Sequence, residues 1–182
     1  MRRIGITGGI GSGKSVVSRL LRIMGYSVYD TDSEAKRLME SSLEVVQKLS
    51  ECFGRDIYHN GRLNRGLLSS RVFGKSDKIV LLNSIVHPVV RFDFYRWSES
   101  LNEEICFVES AILYESRFDE LVDEVWTVTA PEELRISRVR QRSGLTEEEI
   151  KKRMAAQLSE EEKQRRACLL YTSPSPRTEA DL

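Results

Sequence analysis

The chain lacks the features that mark several large classes of protein. Its 182 residues contain no apolar stretch of membrane-spanning length, so we expect no transmembrane helix and no membrane partner. Its three cysteines, Cys52, Cys106 and Cys168, lie far apart, which argues against a zinc site and against a disulfide framework. The 28 Lys and Arg residues balance 28 Asp and Glu residues, so net charge favours neither nucleic acid nor an anionic membrane as a partner.

The remaining composition is that of an ordinary globular protein. Hydrophobic residues make up 40% of the chain and charged residues 31%, and the length suits one domain with a substantial core. The chain passes from Met1–Arg3 directly into an apolar run, which predicts that there is no signal peptide. Unpaired cysteines in such a protein predict a reducing, cytoplasmic location.

The most informative segment lies near the start of the chain. Residues Gly8–Ser15 read GGIGSGKS, a full match to the phosphate-binding pattern GxxxxGK[S/T]. The motif follows an apolar run, Ile4–Ile6, and precedes a helical pattern from Lys14 to Met24, as a P-loop requires. A flexible Gly/Ser turn without a ligand is the alternative interpretation. The order of strand, loop and helix favours nucleotide binding.

The chemistry of a P-loop assigns roles to this segment. Backbone N–H groups and the N-terminus of the following helix attract phosphate. Lys14 is expected to reach the terminal phosphates, and the hydroxyl of Ser15 is expected to hold Mg²⁺. The predicted nucleotide-binding residues are Gly9, Ile10, Gly11, Ser12, Gly13, Lys14, Ser15 and Val16.

A second predicted strand, Tyr26–Tyr29, ends beside two carboxylates, Asp30 and Asp32. Ligands of open α/β sheets bind at the carboxyl ends of the strands. A carboxylate there can accept the proton of an attacking hydroxyl, orient the alcohol or hold Mg²⁺ through water. Alternatively, either residue caps a helix that begins near Ser33, and the two roles are compatible.

Residues 33–100 show helical periodicity, which predicts a helical insertion between the second and third strands. Within it, Asn60–Gly61 predicts a tight turn. Two arginines near this turn, Arg65 among them, are candidates to grip an anionic substrate, or they are solvated surface residues. His87 is a candidate for binding or for a structural role, and Pro88 predicts the first turn of a new helix.

Two later apolar runs, Ile105–Val108 and Val125–Val128, predict parallel strands that are buried on both faces. Glu109 directly follows the first run. This is the position of the acidic residue of a Walker B motif, although a carboxylate there can instead contact the acceptor or a helix end.

A helix after Pro131 and a second helix through Gln157 predict a lid at about residues 138–158. Thr146–Glu149 has the pattern of a capping box, which opens the second helix. Arginines on a lid can close over transferring phosphates, whereas the alternative is a solvated basic face paired with glutamates. The arginines on the first helix are Arg135, Arg138, Arg140 and Arg142.

Together, these segments resemble the dephospho-CoA kinase family over residues 1–167. The P-loop alone is common to many nucleotide-binding proteins, whereas its combination with the Asn-Arg and His-Pro segments is specific. Two positions depart from the usual family residues, namely Ala111 in place of proline and Ser143 in place of aspartate. The segments that carry the resemblance are the P-loop, Tyr29–Asp32, Gly61–Arg65, Leu82–Pro88, and Arg138, Arg142 and Gln157.

The resemblance implies an α/β fold of the P-loop NTPase type, with three layers around a parallel sheet, a helical acceptor-binding insertion and a helical lid. It implies transfer of the γ-phosphoryl group of ATP, with Mg²⁺, to the ribose 3′-hydroxyl of dephospho-CoA, the last step of coenzyme A biosynthesis. Asp32 would be the general base, and Arg65 and His87 would face dephospho-CoA. Arg138 and Arg142 would contact the ATP phosphates, with Lys14 as a further catalytic residue.

Other functions remain as alternatives. Another small-molecule P-loop kinase, of the nucleoside monophosphate or shikimate type, would share the loop and the lid. A nucleotide-binding switch is less favoured because the chain has no Asn-Lys-x-Asp segment for reading guanine. A nucleic-acid-dependent ATPase is disfavoured by the neutral net charge.

The end of the chain departs from the family pattern, which predicts an Asp after Ala167, then an apolar strand, an adenine-contacting loop and a closing helix. Residues 168–177 instead read CLLYTSPSPR, which resembles a translated sequencing adapter. We therefore expect residues from about 168 to be non-native, with the true C-terminus missing. The chain would then lack a sheet strand and part of the adenine site, which would lower its stability and its ATP affinity. A genuine disordered tail is the alternative.

Overall fold

A computed structural model describes residues 1–173, which divide into two compact units. The sheet unit comprises Met1–Asp30 and the described residues from Asn102 onward, and the helical unit comprises Thr31–Leu101. In chain order, the elements are β1 (Arg2–Thr7), α1 (Lys14–Ile23), β2 (Ser27–Asp30), α2 (Thr31–Ser41), α3 (Leu43–Phe53), β3 (Tyr58–His59), β4 (Arg62–Leu63), α4 (Arg65–Val72), α5 (Ser76–Ser100), β5 (Ile105–Glu109), β6 (Glu124–Thr129), α6 (Glu132–Ser143), α7 (Glu147–Ala155), α8 (Glu160–Arg166) and β7 (Leu169–Thr172).

The sheet unit contains a parallel five-stranded sheet in the order β2-β5-β1-β6-β7, which confirms the predicted α/β class. β1 lies at the centre of the sheet, and its last four residues, from Ile4 to Thr7, are all buried. Helix α1 adds apolar residues to one face of the sheet, and Phe107 stacks edge-on against Trp126 with 5.3 Å between ring centroids. The buried cluster consists of Ile4, Ile6, Leu21, Phe107 and Val128. No helix of residues 1–173 is long and apolar enough to cross a membrane.

The register of the central strands brings functional groups to one edge of the sheet. Ile6 of β1 pairs with Glu109, the last residue of β5. The N–H of Ser110 then donates to the carbonyl of Ile6 at 3.0 Å. As a result, the chain leaves β1 and enters the P-loop beside the carboxylate of Glu109.

The expected loss of a strand after residue 167 is wrong. The segment Leu169–Thr172 pairs in parallel with β6 as β7. The N–H of Cys168 donates to the carbonyl of Val125, and the N–H of Ser173 donates to the carbonyl of Thr129, each at 2.8 Å. Pairing requires only extended backbone, and a Leu-Leu-Tyr-Thr sequence suits a strand whatever its origin. The non-native origin of the tail stays a prediction, and residues 174–182 lie outside the described part of the chain.

The helical unit consists of α2–α5 and a short hairpin. β3 and β4 pair antiparallel around Asn60 and Gly61, whose positive φ angles of 49° and 75° are those of a type I′ turn. The predicted tight turn is therefore confirmed. The sequence showed no strand signal here because each strand has two residues, too few for an alternation pattern.

Helix α5 is continuous through Pro88, so the predicted new helix at this residue is wrong. Proline removes one backbone donor and crowds the preceding turn, which normally breaks or kinks a helix. Here the residues on both sides of the proline are tied into the core, since Ile85, Val86 and Val90 are buried. Their packing offsets the local cost.

Two phenylalanines on α5 provide a matched test of this packing. Phe94 is fully buried, with 0% exposure, whereas Phe92 is 63% exposed. We expect Phe94→Ala to lower the free energy of unfolding by about 3–5 kcal/mol, because it loses buried apolar area and leaves a cavity. Phe92→Ala should change it by less than about 0.5 kcal/mol. Urea denaturation followed by circular dichroism measures both, and equal effects would contradict the described core.

Candidate active site

The P-loop connects β1 to the N-terminus of α1. Gly13 adopts a left-handed conformation, with φ at 108°, and α1 begins at the next residue, Lys14. Within the loop, the N–H of Ser12 donates to the carbonyl of Gly9 at 3.1 Å. The first N–H groups of a helix have no partner within it, so this end of α1 can donate to phosphate oxygens. Val16 lies in the same first turn and is exposed.

The side chain of Lys14 is held at the loop. It is 8% exposed, and its Nζ donates to the carbonyls of Gly8 and Gly9 at 2.8 and 3.1 Å. These contacts keep the ammonium group in a water-poor place where its attraction for an anion is strong. The loop therefore combines backbone donors with one positive charge.

The side-chain oxygens of Ser15 and Glu109 meet where the loop joins α1. The hydroxyl of Ser15 donates to Oε1 of Glu109 at 3.1 Å, and Glu109 is buried. The contact follows from the strand register, which ends β5 beside the start of the loop. A hydroxyl and a carboxylate are both ligands that Mg²⁺ accepts. Within residues 1–173, no three His, Cys, Asp or Glu side chains form a ready-made metal cluster.

The structure brings Arg138 of α6 to the P-loop. Its guanidinium lies 3.4 Å from the carbonyls of Gly11 and Ser12, and it donates to the hydroxyl of Ser173 at 3.2 Å. Arg142 lies on the last turn of the same helix and is exposed. One predicted arginine is thus at the loop, and the other is on the surface of α6.

Arg135 is not on a solvated face with the other arginines, because it is buried at 4% exposure. Its Nε donates to the carbonyl of Ile10 at 3.0 Å, and its Nη1 lies 3.4 Å from Oε1 of Glu160. A side chain at Gly9 would collide with both groups. The sequence showed no signal for Glu160, which lies in a run of glutamates. The N–H of Ile10 donates to Oε1 of Gln157 at 3.0 Å, a contact that the resemblance did not assign.

The other predicted site residues belong to the helical unit. α2 begins at Thr31, so Asp32 lies in its first turn, and the alternative of a cap before a helix at Ser33 is wrong for this residue. A helix N-terminus favours a negative charge there. Arg65 starts α4 and forms an exposed ion pair with Glu40 at 3.2 Å. The imidazole of His87 lies on α5 and is half-buried.

Comparisons with known proteins decide the family. The model of the dephospho-CoA kinase (CoaE) family matches residues 2–173, almost the whole described chain. The chain belongs to this family. A curated dephospho-CoA kinase from Porphyromonas gingivalis is 45% identical over 161 residues, which cover 88% of this chain and 80% of the relative. The resemblance seen in the sequence is therefore confirmed.

Solved structures show the same fold. A crystal structure from Thermus thermophilus has a TM-score of 0.82 and 38% identity, covering 95% of this chain and 88% of that one. A dephospho-CoA kinase from Campylobacter jejuni has a TM-score of 0.71 and 24% identity, covering 100% and 92% of the two chains. The predicted fold of the P-loop NTPase type is confirmed.

His87 provides a measurable property of the helical unit. Burial, and next the positive charge of Arg91, lower the pKa of His87 below its ordinary value of 6.5. We expect an NMR titration of a His59→Gln variant, in which His87 is the remaining histidine, to give a pKa below 6.5. A value at or above 6.5 would contradict the described burial.

The same shift has a consequence for stability. The folded state favours neutral His87, so its contribution is present above pH 6.5 and is lost as the pH falls through the lower folded pKa. His87→Gln should therefore lose less stability on acidification than the wild type. Urea denaturation of both proteins between neutral and mildly acidic pH measures this difference.

Proposed function

We propose that this chain transfers the γ-phosphoryl group of ATP to the ribose 3′-hydroxyl of dephospho-CoA, which completes coenzyme A. The observation that carries this proposal is a complete P-loop, with Lys14 and Arg138 at its backbone, in a member of the dephospho-CoA kinase family. Phosphoryl transfer depends mainly on positioning and on charge stabilisation, which such a loop provides.

The ATP phosphates are bound by the loop from Gly9 to Val16. Backbone N–H groups at the start of α1 hold the phosphate chain, and the ammonium of Lys14 turns from the loop carbonyls to the terminal phosphates. Arg138 and Arg142 stabilise charge on the transferring group. In this proposal the segment 138–158, which includes α7, is the lid that excludes water. Its capping box is present, with Thr146 and Glu149 each accepting a hydrogen bond from the other's backbone.

Mg²⁺ is the metal ion that suits the loop. The adjacent oxygen groups of Ser15 and Glu109 fit it, because Mg²⁺ prefers oxygen ligands and keeps several waters and phosphate oxygens. We propose that Ser15 is a ligand and that Glu109 holds the hydroxyl in place. When bound, the ion neutralises negative charge that develops on the phosphates.

The helical unit supplies the acceptor side of the proposed reaction. Asp32, in the first turn of α2, orients the 3′-hydroxyl of dephospho-CoA and accepts its proton. Arg65 leaves its exposed partner, Glu40, to pair with the anionic part of the acceptor. Half-buried His87 contacts the same substrate. Balanced net charge and free cysteines support small-molecule partners in a reducing cytoplasm.

Acceptor-dependent ADP formation tests this proposal. With Mg²⁺ and ATP, we expect ADP release when dephospho-CoA is present, and only background release with AMP, with shikimate or without an acceptor. Lys14→Met should lower kcat/KM by at least about 100-fold, because a charge at the transferring phosphate is lost. Lys48→Met is the control, since Lys48 is exposed and pairs with Glu44 on α3. Turnover that needs a different acceptor would overturn the proposal.

A substitution of Asp32 tests the proposed general base independently of ATP binding. We expect Asp32→Asn to lower kcat about 100-fold or more while the KM for ATP changes little, because the amide cannot accept the proton. Asp77→Asn is a matched control, since Asp77 also lies in the first turn of a helix. Steady-state kinetics with varied ATP and dephospho-CoA measure both variants. A kcat within twofold of the wild type would remove Asp32 from the mechanism.

A further inference from the structure

A buried lysine in the sheet unit, Lys163, has no part in the mechanism above. Lys163 of α8 has 0% exposure. Its Nζ donates to the carbonyl of Ala111 at 3.0 Å and lies 3.9 Å from Oε1 of Glu115. Burial lowers the pKa of Lys163, and the negative charge of Glu115 opposes this shift. Burying an ammonium group is costly, and a well-packed apolar side chain often serves stability as well or better.

Glu115 connects this lysine to the segment between α7 and α8. The N–H of Leu158 donates to Oε1 of Glu115 at 2.6 Å, so one carboxylate oxygen faces both Leu158 and Lys163. In addition, the hydroxyl of Thr127 in β6 donates to the carbonyl of Lys163 at 3.3 Å. The segment 157–163, here called the strap, is thereby fixed at both ends to the sheet unit.

Two side chains of the strap, those of Gln157 and Glu160, hold one residue of the P-loop, Ile10. Gln157 accepts the N–H of Ile10 at 3.0 Å. Glu160 pairs with Arg135 at 3.4 Å, and Arg135 donates to the carbonyl of Ile10 at 3.0 Å. Both polar groups of Ile10 are therefore held, directly or through one side chain, by the strap.

We propose that Lys163 is a positioning residue for the P-loop, because its ammonium group joins the chain after β5 to the strap that holds Ile10 in place. Backbone donors bind phosphate best when they are aimed before the ligand arrives. Without the ammonium group, Glu115, which accepts the N–H of Leu158, loses its cationic partner, and Gln157 and Glu160 no longer hold the loop in one shape. The affinity for ATP then falls, while binding of dephospho-CoA is unaffected. The inference rests on the proposed function only in taking ATP as the ligand.

The test uses Lys163→Met in the full chain, because methionine keeps much of the stem and removes the charge. We expect the Kd for ATP with Mg²⁺, measured by isothermal titration calorimetry, to rise tenfold or more. The KM for dephospho-CoA should change less than twofold. The matched control is Arg165→Met on the same helix, because Arg165 is exposed and pairs with Glu162. It should leave both constants unchanged.

A double-mutant cycle with Gln157→Leu distinguishes positioning from simple packing. If Lys163 and Gln157 both act through the strap, their effects on ATP binding are not additive. The Kd of the double variant for ATP is then at most about twofold higher than the Kd of the single variant that binds ATP more weakly. A lower melting temperature of Lys163→Met with a wild-type Kd for ATP would overturn the inference, and so would additive effects on Kd.

Glu115→Gln keeps the test decisive if Lys163→Met does not fold. The side chain of Glu115 is 26% exposed, so this change is milder. A several-fold higher Kd for ATP supports the proposed role of the strap, and an unchanged Kd overturns it. Wild-type protein that binds ATP but does not phosphorylate dephospho-CoA would contradict the proposed function alone, because the Kd comparison still decides the role of Lys163.

Discussion

Phosphate binding by backbone N–H groups demands a loop held in one conformation, and the sheet unit is arranged around this demand. β1 ends in the sheet centre and delivers the loop beside Glu109. Two side chains then hold the loop at Ile10: Arg135 donates to its carbonyl, and Gln157 accepts its N–H. Because a side chain at Gly9 would collide with Arg135, the close approach of these groups requires glycine.

This arrangement buries several charged side chains, which is unfavourable in free energy because they lose contact with water. Lys14, Arg135 and Lys163 all carry cationic groups in positions with less than a tenth of their surface exposed. Each is compensated by carbonyl groups or by a carboxylate at hydrogen-bonding or ion-pair distance. Such groups contribute little net stability, but they specify where the backbone lies. Lys14 and Arg135 donate directly to carbonyls of the loop, whereas Lys163 donates to Ala111 after β5.

Strand β7 pairs regularly with β6, and this pairing says nothing about the origin of its sequence. β7 completes the row of hydrogen bonds along β6, and Ser173 after it reaches Arg138. Leu169, Leu170 and Tyr171 remain about half exposed, at 48%, 49% and 48%. The backbone of this segment is paired along β6, whereas its apolar side chains are only partly packed. The match of the family model through residue 173 includes this strand.

The sequence by itself determined what depends on neighbours along the chain. The P-loop, the turn at Asn60–Gly61 and the capping box at Thr146 are local patterns, and each is present as predicted. Only the tertiary structure decided the burial of Arg135 and Lys163, the continuity of α5 at Pro88 and the pairing of β7. These features depend on partners far away in the sequence: 125 residues separate Arg135 from Ile10, and 52 separate Lys163 from Ala111. Such contacts form only when the sheet has aligned its strands, so no local pattern contains them.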